Sequence, residues 1–256
     1  MTNKASITII RNGNEWDVGA DASERRNSEN ENLSSHILQF MERDKYIVIN
    51  GANLPHWHQN NKVQFVTFRL ADSLPQQKLA ELSAYKEEWI ATHPQPWDLQ
   101  TIEAYNHEIR DKVDRWLDHG FGDCILGQED MRIIVTEALL FYHGKRYILH
   151  HFVIMPNHVH LLLSPIGDDV VNKSIGSVKR FTANAINKAL GRSGKVWQSE
   201  IFDRMVRDAQ NYEAFIHYIY NNPSNLLPHQ YTIGGDASCI ATNNEDSDAW
   251  KRRLLL

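Results

Sequence analysis

With 256 residues, 42% of them apolar and 23% charged, the chain can bury a core of its own and has the composition of an ordinary globular protein. No apolar run approaches the roughly 20 residues that a membrane helix needs, and the start, MTNKASITIIRNGNEWD, has no signal-peptide pattern. The expected setting is therefore the cytoplasm, where Cys124 and Cys239, without metal-type spacing, form no disulfide framework.

The net charge of −5 argues against a general affinity for polyanions, but the charge is unevenly spread. Between Val170 and Arg207 eight bases face only two acids, Glu200 and Asp203. A local basic field attracts phosphate whatever the overall sign, although surface helices also carry Lys and Arg for solubility alone.

Residues 1–45 are polar, with the run DASERRNSENENLSS, and read as a flexible region with room for one short helix at His36–Met41. A single domain is expected over 46–223. VQFVTFRL, Val63–Leu70, is rich in β-branched and aromatic residues and predicts a strand. Lys78–Thr92 and Asp98–His119 predict two helices split by HPQPW, and with the glycine-containing loop after them they form a helical insertion at about 76–127. Glu129–His143 has apolar residues at helical spacing. Tyr147–Met155 and His158–Ser164 predict paired antiparallel strands joined by a proline turn. Lys173–Leu190 is a basic amphipathic helix, Val196–Arg207 a strand, and Asn211–Asn222 a helix stopped by Pro223. Residues 224–256 are left as a C-terminal tail, loose at TNNEDSD.

With the insertion set aside, the order is βαββαβ plus one helix. That predicts an α+β, ferredoxin-like fold: a mostly antiparallel sheet, helices on one face, and an added C-terminal helix. A less regular α+β domain is the alternative.

Two short motifs carry chemistry. In MPNHVHLLL, Met155–Leu163, the residues His158 and His160 are two apart on a strand and so point to the same face, while Val159 points into the core. Two neutral imidazoles on one face can share a metal ion, but a His-x-His pair on a strand also arises by chance. In YIYNNP, Tyr218 and Asn222 stand at i and i+4 on one flank of the apolar stripe Tyr212, Phe215, Ile216 and Ile219. A rim aromatic and a helix-terminal Asn can equally be structural. His150 and His151 read as structural.

Together the motifs offer two imidazoles, an amide oxygen and a phenol one helical turn from that amide. This set suits a cation that polarises a phosphate beside a tyrosine nucleophile. From LPHWHQNNKVQFVTFRLADSLP through RWLDHGFGDCIL, ALLFYHGKRY, VIMPNHVHLLL and SVKRFTANAINKALGRSGKVWQSEIFDRMVRD to YIYNNP, the chain resembles the REP-associated tyrosine transposases. These are single-tyrosine relatives within the HUH nuclease superfamily.

The resemblance implies a ferredoxin-like palm, with Tyr218 as nucleophile and His158, His160 and Asn222 as metal ligands. The implied substrate is single-stranded DNA with palindromic hairpins, cut through a 5′-phosphotyrosine intermediate. Lys179, Arg180, Trp197, Gln198, Arg204 and Arg207 fall in family blocks and are candidate DNA contacts by charge and aromatic character; core packing is the alternative for Trp197 and an ion pair for Arg204. The expected cofactor is Mg²⁺ or Mn²⁺, the latter favoured by imidazole ligands. The chain would act as a monomer or homodimer, away from membranes, in a bacterial cytoplasm and near the nucleoid. After Pro223 it reads SNLLPHQYTIGG and leaves the family pattern. A domesticated relative that holds hairpin DNA or RNA without cutting it is the second reading, and an α+β domain with incidental histidines the third.

Overall fold

A computed structural model describes residues 7–11, 14–17, 38–42, 48–50, 56–94, 97–167 and 169–236. Cys239 and the TNNEDSD stretch lie outside these residues.

The strands are β1 (Ile7–Arg11), β2 (Asn14–Asp17), β3 (Val48–Asn50), β4 (His56–His58), β5 (Gln64–Arg69), β6 (Tyr147–Ile154), β7 (His158–Pro165), β8 (Phe202–Met205) and β9 (Thr232–Asp236). The α-helices are α1 (Gln76–Thr92), α2 (Leu99–Leu117), α3 (Glu129–Tyr142), α4 (Val171–Ala189) and α5 (Ala209–Asn221). Seven strands form one sheet in the order β2-β1-β9-β6-β7-β5-β8, all antiparallel; β3 and β4 pair separately.

Its inner part, β6-β7-β5-β8, with α3 linking β5 to β6 and α4 linking β7 to β8, is the ferredoxin-like arrangement expected from the element order. The α1–α2 pair is inserted between β5 and α3. It has a core of its own built on Leu82, Tyr105, Ile109, Val113 and Leu117.

Alternation along the central strands divides the sheet into two apolar layers. Val66, Phe68, Val159, Leu161 and Leu163 face α3 and α4, where Val135, Leu139, Ile175 and Val178 meet them. Phe65, Leu162 and Val153 face the other way, and α5 covers them with Tyr212, Phe215, Ile216 and Ile219. Each such side chain, fully buried, contributes about 1.5–3 kcal/mol. The apolar stripe read on α5 is thus buried as expected. Asp208 caps α5 by accepting from the Asn211 N–H at 2.7 Å, and Pro223 follows its last turn.

Four local expectations differ from the structure. The polar N-terminal region contains β1 and β2, which extend the sheet through β9, so Ile7–Arg11 and Asn14–Asp17 are not simply a flexible lead. Their ITIIR segment is apolar and β-branched, a signal outweighed in the sequence by the polar run after it. Residues 38–42 form no helix; the Met41 N–H donates to the Val206 carbonyl and the Val63 N–H to the Gln39 carbonyl, both at 2.9 Å. The strand expected over Val196–Arg207 is confined to Phe202–Met205, with Trp197 making an isolated bridge to Leu70 upstream. The C-terminal tail, for which no element was expected, contributes a strand, because TIGGD forms β9 between β1 and β6.

Glycines make that last pairing possible. A Cβ on Gly234 would lie 2.3 Å from Phe152 Cε1, and one on Gly235 would lie 2.2 Å from His151 Nδ1. Phe152 is fully buried and cannot move aside. Gly234→Ala is expected to destabilise the fold by about 1–3 kcal/mol, the usual cost of overpacking, read as a lowered melting temperature.

Candidate active site

His158 and His160 leave β7 on the face that α5 covers. The register sets Thr67 opposite His160 and Arg69 opposite His158. Both imidazoles are buried, at 1% and 0% exposure, and their rings stand 4.6 Å apart, centroid to centroid. Val159 points into the opposite layer, as alternation requires.

Each ring is held through Nδ1. His158 Nδ1 lies 2.7 Å from Asn157 Oδ1, and the Asn157 amide NH₂ in turn donates to the carbonyls of Leu117 and Phe121. An amide oxygen only accepts, so this contact assigns the His158 proton to Nδ1 and leaves Nε2 as a bare acceptor. His160 Nδ1 lies 2.7 Å from Thr67 Oγ1, which can hold it in the same tautomer. Burial pushes His158 down to about 3. His160 also falls well below the ordinary histidine value, through burial first and then His158 and Arg110 nearby. Both rings are therefore neutral across the physiological range.

Tyr218 reaches the same place from α5. Its ring is half-buried, 5.1 Å from that of His160 and edge-on to Phe65 at 5.7 Å. Phe65 stacks on Phe215 at 4.3 Å and against His160 at 5.4 Å, so one strand residue spaces helix and histidine. Asn222 follows one turn later, its N–H donating to the Tyr218 carbonyl.

Three potential ligand atoms share an unusual state: His158 Nε2, His160 Nε2 and Asn222 Oδ1 are buried without a hydrogen-bond partner. Buried polar atoms are nearly always satisfied, and each orphan costs about 1–3 kcal/mol. A divalent cation would satisfy lone pairs of this kind, and the Nδ1 partners supply the orienting contacts that metal-bound histidines ordinarily have. Among the described residues no cluster of three or more His, Cys, Asp or Glu side chains could hold a metal. The donor set is two imidazoles and an amide.

The structure adds a residue that no motif announced. The Tyr218 hydroxyl donates to Asp114 Oδ2 at 3.3 Å, and Asp114 belongs to α2 of the insertion. Burial and the Asp114 carboxylate, with Asp118 behind it, push the phenol well above its usual value against the opposing effect of Arg110. Asn157 and Thr67 were likewise not singled out. Asn157 adjoins His158 in the motif and was in principle readable; Asp114 lies 104 residues from its partner and was not.

The six candidate DNA contacts separate. Arg204 pairs with Phe65 on the α5 face, its guanidinium 6.0 Å from the Phe215 ring centre, and so shares a face with the histidines. Arg180 is exposed on α4, and Arg207 is half-buried ahead of α5. Gln198 is half-buried, its side-chain oxygen accepting from Lys195 at 3.2 Å.

Lys179 is buried, donating to the Ser199 carbonyl at 2.9 Å. It is lowered to about 8 by burial first, then by Lys195 and Arg69. Trp197 is corrected from base-stacking candidate to core residue. It is 5% exposed, edge-on to Phe68 at 4.9 Å, and donates to Thr182 Oγ1 at 2.8 Å. The large apolar ring beside a buried hydroxyl acceptor gains more from the core than it could at the surface. Trp197→Ala is expected to cost about 3–5 kcal/mol of stability, measured by denaturant unfolding.

The family model described as Transposase IS200 like matches residues 132–222. The matched stretch runs from α3 to the end of α5 and contains His158, His160, Tyr218 and Asn222. It bears out the family resemblance read from the motifs. A search of curated proteins finds no match. Among solved structures, a REP-associated tyrosine transposase bound to a REP hairpin is similar at 14% identity over 72% of this chain and 73% of that one, with a TM-score of 0.35. Among the described residues, no helix is long and apolar enough to cross a membrane.

Proposed function

We propose, from the premise that residues 132–222 form an IS200-like transposase segment, that the chain cuts and rejoins single-stranded DNA beside hairpins, with Tyr218 as the nucleophile. The observation that carries this reading is the approach of the Tyr218 ring, at 5.1 Å, to a pair of neutral histidines whose Nε2 atoms are buried and unpartnered.

His158 Nε2, His160 Nε2 and Asn222 Oδ1 would hold a divalent ion, Mg²⁺ or Mn²⁺. When bound, it would polarise the scissile phosphate and stabilise the charge that develops there. The chain's own groups do the rest. Asn157 and Thr67 fix the histidine rings, and Phe65 sets the spacing between ring and helix. Tyr218 attacks phosphorus, forming the Oη–P bond while the P–O3′ bond breaks. The products are a DNA 5′ end joined to Tyr218 and a free 3′ hydroxyl. The phosphodiester energy is kept in the new ester, so a second 3′ hydroxyl can reverse the step without ATP. Arg204 shares the site's face, while Arg180 and Arg207 offer charge for the flanking backbone.

The experiment is incubation of the protein with hairpin-containing single-stranded DNA and Mn²⁺, followed by a denaturing gel. A covalent protein–DNA band supports the reading. Tight hairpin binding without such a band would instead favour the non-cleaving relative.

A further inference from the structure

We propose that Asp114, on the inserted helix α2, is the catalytic base that takes the phenolic proton of Tyr218 as the tyrosine attacks DNA. This rests on the transposase reading above and extends it to the proton. The geometry is a direct contact: the Tyr218 hydroxyl donates to Asp114 Oδ2 at 3.3 Å, a long hydrogen bond that can tighten when substrate is engaged.

A base is needed there. A phenol, with an ordinary pKa of about 10, is almost wholly protonated near neutrality, so the proton must leave during the step. The histidines cannot take it. Their Nδ1 atoms are engaged by Asn157 and Thr67, and their Nε2 atoms form the candidate ligand set.

Asp114 is suited to the task by its surroundings. Its carboxyl is raised to about 7, by burial first, with Asp118 and Asp111 acting in the same direction and Arg110 and the Tyr218 hydrogen bond opposing them. Arg110 Nε lies 3.9 Å from Asp114 Oδ2. The charged or titratable groups around it are thus Arg110, Asp111 and Asp118 from α2 and Tyr218 from α5, with His160 of β7 coupled to Arg110. A base works best when its pKa lies near the working pH.

The step balances. The Tyr218 O–H bond breaks and its proton passes to Asp114 Oδ2. The Oη–P bond forms, the P–O3′ bond breaks, and the 3′ oxygen takes a proton from water. On rejoining, protonated Asp114 returns its proton to the phenolate.

The insertion then has a function. It brings to the tyrosine a carboxylate from outside the βαββαβ palm.

The test is single-turnover adduct formation on hairpin DNA with Mn²⁺ for wild type and Asp114→Asn, between pH 5 and 9, with hairpin affinity measured alongside. An isosteric amide keeps shape and can still accept from the phenol. Wild type is expected to slow as pH falls through about 7, because the carboxylate is lost. Asp114→Asn is expected to be about 10²–10³-fold slower, to lose that acid limb, and to bind hairpin unchanged. Placing 3,5-difluorotyrosine at position 218, a more acidic phenol, should recover much of the deficit in Asp114→Asn and little in wild type.

An Asp114→Asn protein that cleaves at the wild-type rate with the wild-type pH profile overturns the proposal. So does one that is slow but keeps the acid limb and is not rescued by the acidic phenol, since its role would then be structural. Absence of any adduct from wild type is a different failure: it removes the transposase reading, and the base with it.

Discussion

Tyr218→Phe is expected to leave hairpin DNA uncut, with no covalent band on a denaturing gel, while the protein stays folded and still binds the hairpin. The substitution removes one oxygen and keeps the ring, so the contacts to Phe65 and His160 persist. Stability changes little: Asp114 loses one hydrogen bond, a net effect of about 0.5–1.5 kcal/mol. The chemistry has no substitute, because carbon at that position cannot attack phosphorus.

The control is Tyr220→Phe, two residues along the same helix. Tyr220 points elsewhere, its hydroxyl 3.4 Å from His151 Nδ1 and beside β9. This variant is expected to cut normally. If Tyr218→Phe gives the same adduct as wild type, the nucleophile has been misassigned.

Removal of divalent metal has the second large effect. With excess chelator the adduct is expected to fall by about 10³-fold or more, since a Lewis acid at a reacting phosphate supplies several kcal/mol of barrier lowering. Mn²⁺ or Mg²⁺ added back restores it. His160→Gln should show the same loss without rescue at ordinary metal concentrations. The pH dependence of such metal binding would follow from the histidines' burial. Both are depressed, so protons compete for the Nε2 atoms only in strongly acidic solution, and binding should be flat from neutrality down to well below the usual histidine range. Cleavage that proceeds unchanged in chelator would remove the cation from the reading. It would also leave three buried, unpartnered atoms in need of another account.

These two experiments separate roles that the geometry joins. Loss of the phenol would remove the proposed nucleophile and spare any metal binding. Loss of the metal would spare Tyr218 and its contact with Asp114.

Much of this arrangement could be read locally. Alternation alone put His158 and His160 on one face with Val159 behind them, because a strand's side chains repeat every two residues. The helical repeat alone put Tyr218 and Asn222 on one flank of the stripe that α5 buries. The order of elements was enough for the ferredoxin-like core. These are properties of neighbours in the chain, and a period of two or 3.6 is visible in a few residues.

Other features depended on which surfaces meet. Trp197 sits in a block rich in Lys and Arg, yet its burial was decided by Phe68 and Thr182, which pack against it from other elements. TIGGD has no strong strand pattern; it is a strand because two glycines let it lie against Phe152 and His151. Asp114 is one acid among several on a polar helix, and only the docking of α2 beside α5 sets it against the tyrosine. Local periodicity fixes the direction of a side chain relative to its own backbone. What that side chain touches is set by long-range packing, and so the residues proposed as ligands and nucleophile were legible in the chain while Asp114, the partner of Tyr218, was not.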